Sequence, residues 1–418
     1  MHPVKDHSHG GTLKKGRDIS MNKKRFFITL AVCAAVLLAA ALLSGYWNDK
    51  PNNGLLRVGF VYTEDESTPY TANFIMAQRA LEAEYGNKIE ILSKSNVNGR
   101  DCEQPIRDLI RDGCSIIFIN MDSDIPVELA REFTNVEFCQ VSLPTISLEG
   151  TTDNYHTFNG EIYQARYVSG VAAGMKLRQL LDSGAILPQD ALIGYVGANS
   201  STEVVSGYTA FLLGVRSVAP EAVMKVRYTG SWSNYNAEKR ETKALIDEGC
   251  VIIAQHVNTT APAVACEEAV SAGTRVYHVG YHQSMIDIAP SSSLTSIRTN
   301  WAPYIIQAVS AVLNGREIEK TVEAHAHGND MSAGFESGWV ELLEINKFIA
   351  ADGTEAKVAK TIDSMKKGRI SVFSGNYTGV NPMNPADTID LSTGYIENQY
   401  SSNPSFGYIL SDYITIEN

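Results

Sequence analysis

A stretch of thirteen residues near position 108 returns, with substitutions, near position 244. DLIRDGCSIIFIN (108–120) aligns with ALIDEGCVIIAQH (244–256), and the spacing around the two copies repeats as well. Gly59 to Gly113 is 54 positions and Gly194 to Gly249 is 55. In the first copy, Leu56–Tyr62 reads as a strand and Thr71–Tyr85 as a helix. Ile89–Leu92, Asp101–Arg111 and Ser115–Asn120 come next as strand, helix and strand. The second copy runs Leu192–Val196, Val204–Ser217, Ala222–Tyr228, Ala237–Asp247 and Val251–His256 in the same order. Each second helix stops at a glycine, Gly113 or Gly249, because glycine enters the left-handed conformation at little cost. Strand–helix alternation requires parallel sheets covered by helices. The reading is therefore α/β, with two Rossmann-like lobes. Ligands of such sheets sit beyond the carboxyl ends of the strands, so two facing lobes make a cleft that can close over a small molecule.

The chain of 418 residues has room for two lobes and more. Its N-terminus differs from the rest. Residues 1–25 form a basic tail with seven Lys/Arg against two Asp, so the net charge of −12 conceals a body near −17. An acidic body argues against a nucleic-acid partner, since phosphate binding depends on Lys and Arg. Phe26–Leu43 is eighteen residues without a charge, about the least that spans a bilayer as a helix. Lys23, Lys24 and Arg25 before it place the N-terminus in the cytoplasm and export the remainder of the chain. We read 26–47 as a transmembrane or signal-anchor segment and 48–54 as a linker. A cleaved signal peptide and a lipid on Cys33 are the alternatives, and Met21 is a second candidate start. Five further cysteines (Cys102, Cys114, Cys139, Cys250, Cys266) cannot all pair within one chain and show no zinc-ligand spacing.

The strand ends carry the candidate site. Tyr70 and Phe74 follow the first strand and offer aromatic faces, although Phe74 lies on an apolar helical stripe and reads equally well as core. Glu203 opens a helix, where a carboxylate either caps the helix or faces a ligand. Trp232, in the Gly/Ser-rich loop 230–233, suits stacking. His256 and Asn258 end the third strand of the second copy, and His282 follows Gly280-Tyr281. Trp301 begins a helix over 301–314, as packing or as part of a hinge. GxSxG, HExxH and GxxxxGK[ST] do not occur, so hydrolase, metalloprotease and P-loop chemistry lack their parts. No enzyme activity, cofactor or metal is expected. His325-Ala326-His327 with Asp330 is a weak ligand set without a third spaced partner.

GEIYQARYVSGVAAG (160–174), IGYVGANSSTEVVSGYTAFLLGVRSVAPEA (193–222), GSWSNYNAEKRETKALIDEGCVIIAQHVNTTAP (230–262) and LTSIRTNWAPYIIQAVSAVLNG (294–315) together resemble the basic membrane protein family. The family comprises substrate-binding components of ABC importers for purine nucleosides and related ligands, and the resemblance spans about residues 55–343. It implies a type I periplasmic binding protein with a three-strand hinge, crossing near Phe158, Ile297 and Val322. Lobe 1 would then be 55–158 plus 298–322, and lobe 2 would be 159–297 plus 323–346. Residues 347–418 would form an extension packed on the lobes. The resemblance places the base-stacking aromatics on Tyr70 and Trp232 and the motif glutamate on Glu203. It implies permease and ATPase subunits as partners, beside a purine-like ligand and the membrane. Two positions depart from the pattern: Asn258 and His282 stand where the family often has Asp, and the second Asp holds ribose hydroxyls. A nucleobase or other flat heterocycle is thus as compatible as a nucleoside. A membrane-anchored ligand sensor of the same fold is the alternative function. An enzyme reusing the fold is a weaker one.

Overall fold

The structure, a computed structural model, describes residues 54–141 and 151–417. The apolar segment Phe26–Leu43, Cys33 and the basic tail lie outside these residues. Among the described residues no helix is long and apolar enough to cross a membrane.

The first copy of the repeat folds as β1 (Leu56–Val61), α1 (Pro69–Tyr85), β2 (Ile89–Lys94), α2 (Glu103–Arg111) and β3 (Cys114–Ile119). It continues through α3 (Ile125–Glu132) and β4 (Glu137–Val141) to β5 (Tyr155–Gly160) and the long helix α4 (Ile162–Asp182). The second copy is β6 (Leu192–Gly197), α5 (Thr202–Arg216), β7 (Val223–Tyr228), α6 (Tyr235–Asp247) and β8 (Ile252–His256). After it come α7 (Ala261–Ser271), β9 (Tyr277–Tyr281), β10 (Ser293–Thr299) and α8 (Ala302–Leu313). Gly113 and Gly249 sit at φ 89° and 92°, the left-handed geometry that an L side chain resists. The first sheet carries the order β2-β1-β3-β4-β5 and the second β7-β6-β8-β9-β10, all parallel. The repeated sequence is thus a repeated topology. It has two switch points, between β1 and β3 and between β6 and β8.

Four more strands complete the sheets. β11 (His325–His327) and β12 (Asp330–Ala333) join the first sheet beside β5, and β13 (Val340–Leu342) pairs antiparallel with β10 in the second. The chain therefore crosses between lobes at Gly160–Glu161, at Asn300–Trp301 and between Ala333 and Val340. The third crossing is later than the expected position near Val322. Val322 is instead packed in the first lobe's core, and 325–333 belongs to lobe 1 rather than lobe 2. The shift has a local cause: Asp330–Ala333 aligns in register with Thr157–Gly160, and Thr157 Oγ1 donates to Asp330 at 2.8 Å. Where the crossings meet there is no room for a side chain. A Cβ on Gly160 would lie 2.5 Å from Thr299 Cγ2 and 3.2 Å from the Trp339 carbonyl oxygen.

α8 returns to the first lobe, where Trp301, Tyr304, Ile305 and Val309 pack with Phe60, Phe74 and Phe158. The second lobe's core is larger and is built mainly on β6, β8, α4 and α5. The C-terminal residues reinforce that lobe. α9 (Thr354–Lys366) packs on α4, the hairpin β14 (Thr378–Asn381)–β15 (Asn384–Asp390) comes next, and β16 (Ile414–Glu417) extends the second sheet parallel to β7. One segment also reaches the first lobe. Ser401 Oγ and Ser402 N donate to Asp330 at 2.8 and 2.7 Å, while Glu397 accepts from Ser206 Oγ at 2.8 Å on α5. The five cysteines of the two lobes are free and buried.

Candidate functional site

The carboxyl ends of both sheets face a cleft of about 850 Å³, a volume suited to a small organic ligand. Residues after β1, β3 and β5 line it from the first lobe, and residues after β6, β7, β8 and β9 from the second. None of the lining side chains is Lys or Arg, whereas Glu64, Asp122 and Glu203 are acidic. The cleft therefore favours neutral or cationic ligands with hydrogen-bond donors, and disfavours phosphate or carboxylate groups.

The candidate residues divide between wall and support. Tyr70, Glu203, Trp232, Asn258, His282 and Trp301 line the cleft. Phe74 does not: it is fully buried, and its ring stacks on Trp301 with centroids 4.5 Å apart. The apolar stripe of α1 carries it inward, so it backs the wall rather than forming it. His256 is also absent from the surface of the cleft. It is fully buried beneath it, with Nδ1 3.0 Å from the Tyr195 hydroxyl and its ring edge-on to Trp232 and Tyr281. The final residue of a strand points to one face or the other by register, and here it points into the lobe.

Tyr70 spans the cleft. Its hydroxyl donates to the Asn120 carbonyl at 3.1 Å in its own lobe, and its ring meets His282 of the other lobe with centroids 5.3 Å apart. Burial, with the charge of Glu203 second, raises its hydroxyl pKa far above the ordinary value. His282 is held at φ 68°, a left-handed conformation uncommon for a non-glycine residue and typical of functional positions. The turn stacks its ring on Tyr281 at 3.6 Å and puts Nε2 2.9 Å from Asn258 Oδ1. Burial drives its pKa well below the ordinary value, with Arg166 adding to the effect. The imidazole is therefore neutral; with Nε2 donating to Asn258, Nδ1 is an acceptor.

Arg166, on α4, underlies this wall and carries no signal in the sequence. It is fully buried, donates from Nη1 to the Gln255 carbonyl at 2.7 Å and lies 4.1 Å from the centre of the Tyr281 ring. Its charge depresses His256 further, after burial, and partly offsets the effect of burial on Glu203. Even so, the Glu203 carboxyl is pushed up to about 7. Glu203 occupies the first turn of α5 and makes no capping bond there; its carboxyl lies 3.8 Å from His256 Nε2.

Asn120 is a second wall residue outside the sequence-based set. It ends β3 where His256 ends β8, so the repeat pairs the two positions. Its Oδ1 accepts from Thr63 N at 2.9 Å, leaving Nδ2 buried without a partner. Trp301 Nε1 and His282 Nδ1 are likewise buried and unpaired. The hydroxyls of Ser201 and Ser233 are in the same state; native proteins leave few such groups, and these five belong to residues lining one cleft.

The weak His325–His327–Asp330 set of the sequence is dispersed. His327 Nε2 bonds the Asn398 carbonyl at 3.0 Å, and Asp330 accepts from Thr157, Ser401 and Ser402.

A family described as "ABC transporter substrate-binding protein PnrA-like" matches residues 63–372. A purine-binding protein of Brucella abortus is 30% identical over 324 residues, covering 77% of this chain and 83% of that protein. A putative ABC transporter glucose-binding protein of Haloferax volcanii is 29% identical over 226 residues, 54% of this chain and 51% of that protein. Among solved structures, an ABC transporter solute-binding protein from Conexibacter woesei superposes with a TM-score of 0.56 at 16% identity. It covers 75% of this chain and 97% of that one, a likeness of fold alone.

Proposed function

Because the chain belongs to the PnrA-like family of ABC transporter substrate-binding proteins, we propose that its cleft captures a purine nucleobase or a nucleoside-like ligand for an importer. The family consists of extracytoplasmic solute-binding proteins, not enzymes. The observation that carries the ligand class is the composition of the wall. Aromatic rings from Tyr70, Trp232 and Trp301 stand beside unpaired buried groups on Asn120, Trp301 and His282, with acidic groups and no basic one. A flat heterocycle with ring N–H or amine donors and ring-nitrogen or carbonyl acceptors matches the aromatic faces, the Glu203 and His282 Nδ1 acceptors and the Asn120 and Trp301 N–H donors together. Nucleotides do not, because a phosphate would meet Glu64, Asp122 and Glu203.

In this reading Tyr70 and Trp232 supply stacking faces, Glu203 accepts from ring N–H, and Asn258 orients His282. Phe74 and His256 act one layer behind. A permease and an ATPase receive the ligand, and Phe26–Leu43 holds the lobes at the membrane. The test is a thermal-shift panel of nucleobases, nucleosides, nucleotides, sugars and peptides. A genuine ligand at a hundredfold excess over its Kd stabilises by about 2.7 kcal/mol. Stabilisation by a sugar or peptide with none by any purine would overturn the assignment.

A further inference from the structure

Outside the cleft, three metal-ligating side chains from distant parts of the sequence converge at the hinge. The ligand atoms of Glu161, His325 and Glu336 all lie within 4.8 Å of one another. Glu161 follows β5 in the first crossing, His325 is on β11, and Glu336 lies within the third crossing. We propose that Glu161, His325 and Glu336 form a divalent transition-metal site that clasps the first and third interlobe crossings.

The chemistry of the donors supports a borderline ion such as Zn2+. One imidazole nitrogen and two carboxylates are a ligand set that zinc accepts, with bonds of about 2.0–2.2 Å and water completing the shell. Tetrahedral bonds of that length hold ligand atoms about 3.4 Å apart; His325 and Glu336 are exposed, so their side chains are free to rotate inward and close the set. Glu161 supplies the independent argument. Its side chain is 2% exposed, and among the described residues no Lys or Arg pairs with it. Buried carboxylates are ordinarily matched by a cation or a metal; here the only cationic candidate is the exposed His325, whose Nδ1 lies 2.8 Å from Glu161 Oε1.

The surroundings hold the ligands as a metal site requires. Ser332 Oγ donates to Glu161 Oε1 at 3.0 Å, while Gln164 Nε2 and Tyr163 OH donate to Oε2 at 2.6 and 3.2 Å. Glu336 Oε1 accepts from Gly334 N at 2.7 Å, leaving Oε2 for an ion. Gln164 links the two crossings independently, since its Oε1 also accepts from Phe335 N at 3.1 Å. A bound ion ties Glu336 to Glu161 and thereby restrains relative movement of the crossings.

Zinc titration of the full chain by calorimetry, with no cleft ligand present, tests the site apart from the proposed purine. The wild type should take up one more equivalent of Zn2+ than His325→Ala. Glu336→Gln should bind that equivalent at least tenfold more weakly, and Ser332→Ala about tenfold more weakly through loss of the support to Glu161. Without metal, Glu336→Gln should melt with the wild type, whereas His325→Ala and Ser332→Ala should each melt below it, because each removes a donor from the buried Glu161 carboxylate. Identical stoichiometry and affinity in the wild type, His325→Ala and Glu336→Gln would place any zinc elsewhere on the chain and overturn the site.

Discussion

Asn120 and His256 occupy the same position in the two copies of the repeat, and the two lobes use it in opposite ways. In the first lobe the strand ends in an amide that lines the cleft, with Nδ2 unpaired. In the second it ends in an imidazole sunk beneath the wall, against Tyr195, Trp232 and Tyr281. Around Asn120 the wall is built from amides, a tyrosine hydroxyl and the carboxylates of Glu64 and Asp122. Around His256 there is a buried ionisable group of Arg166, Glu203 and His282, in which burial shifts both histidines and Glu203, and the Arg166 charge acts on all three. The backbone pattern fixes where strands end, not what the ends present. One lobe offers amide dipoles with carboxylates outside them, and the other offers a carboxyl and imidazoles whose protonation burial has shifted.

The largest effects should follow that division. Above pH 7, where its carboxyl is ionised, Glu203→Ala removes a charge-assisted acceptor worth about 1.5–3 kcal/mol, whereas Asn120→Ala removes a neutral donor worth about 0.5–1.5 kcal/mol. Calorimetry with the best purine ligand should show affinity falling about a hundredfold for Glu203→Ala and about fivefold for Asn120→Ala. Equal losses would erase the distinction between the walls.

The lobes should also separate by pH. Glu203 has a folded pKa of about 7 against 4.5 for the free side chain. Between those values the unfolded state has released a proton that the folded state keeps, so stability falls as pH rises from 4.5 to 7 and then levels. In the first lobe His156 bridges Glu137, at 2.9 Å, and Glu319, and its pKa is raised to about 9. Burial alone would lower it; the two carboxylates prevail. That contribution is complete below pH 6.5 and is lost as pH rises through 9. Urea midpoints from pH 4.5 to 9.5 should show Glu203→Gln flattening the lower window and His156→Gln the upper. A Glu203→Gln profile parallel to the wild type below pH 7 would refute the assignment of that window.

Asp330 is the next test, because it joins the lobes through the C-terminal extension. Its carboxylate accepts from Thr157 Oγ1, Ser401 Oγ and Ser402 N. Asp330→Ala leaves a buried backbone N–H and buried hydroxyls without their acceptor, so unfolding should be easier by about 2 kcal/mol. A loss under about 0.5 kcal/mol, the range of ordinary surface changes, would show that the extension is held by the second lobe alone.

The parts of the molecule that sequence makes legible are those governed by backbone pattern. The two βαβαβ units, their glycine stops and the strand-end location of the cleft follow from periodicity, and the structure agrees with each. The third crossing lies beyond its expected place because β11 and β12 are three and four residues long, too short for any period to show. Phe74 is ambiguous because one helical face serves both wall and core. Arg166 leaves no signal, since a lone arginine in an apolar helix ordinarily turns to solvent. Asn120 does leave one: the repeat alignment sets it opposite His256, so a polar strand end in one copy points to its counterpart in the other.

The smallest expected change is one of preference. The resembled family often carries Asp where His282 stands, and aspartate is among the few residues that tolerate φ 68°. His282→Asp should therefore keep the turn while exchanging a neutral imidazole for a carboxylate facing the same cleft. A carboxylate can accept from a pair of sugar hydroxyls, which a nucleobase lacks, and loss of the Tyr281 stack should weaken both ligand types alike. The ratio of nucleoside to nucleobase affinity should rise about tenfold, or 1.4 kcal/mol, measured by titrating matched pairs such as guanosine and guanine. An unchanged ratio would mean that the second lobe's wall does not read the sugar position, and the contrast between the lobes would then concern the base alone.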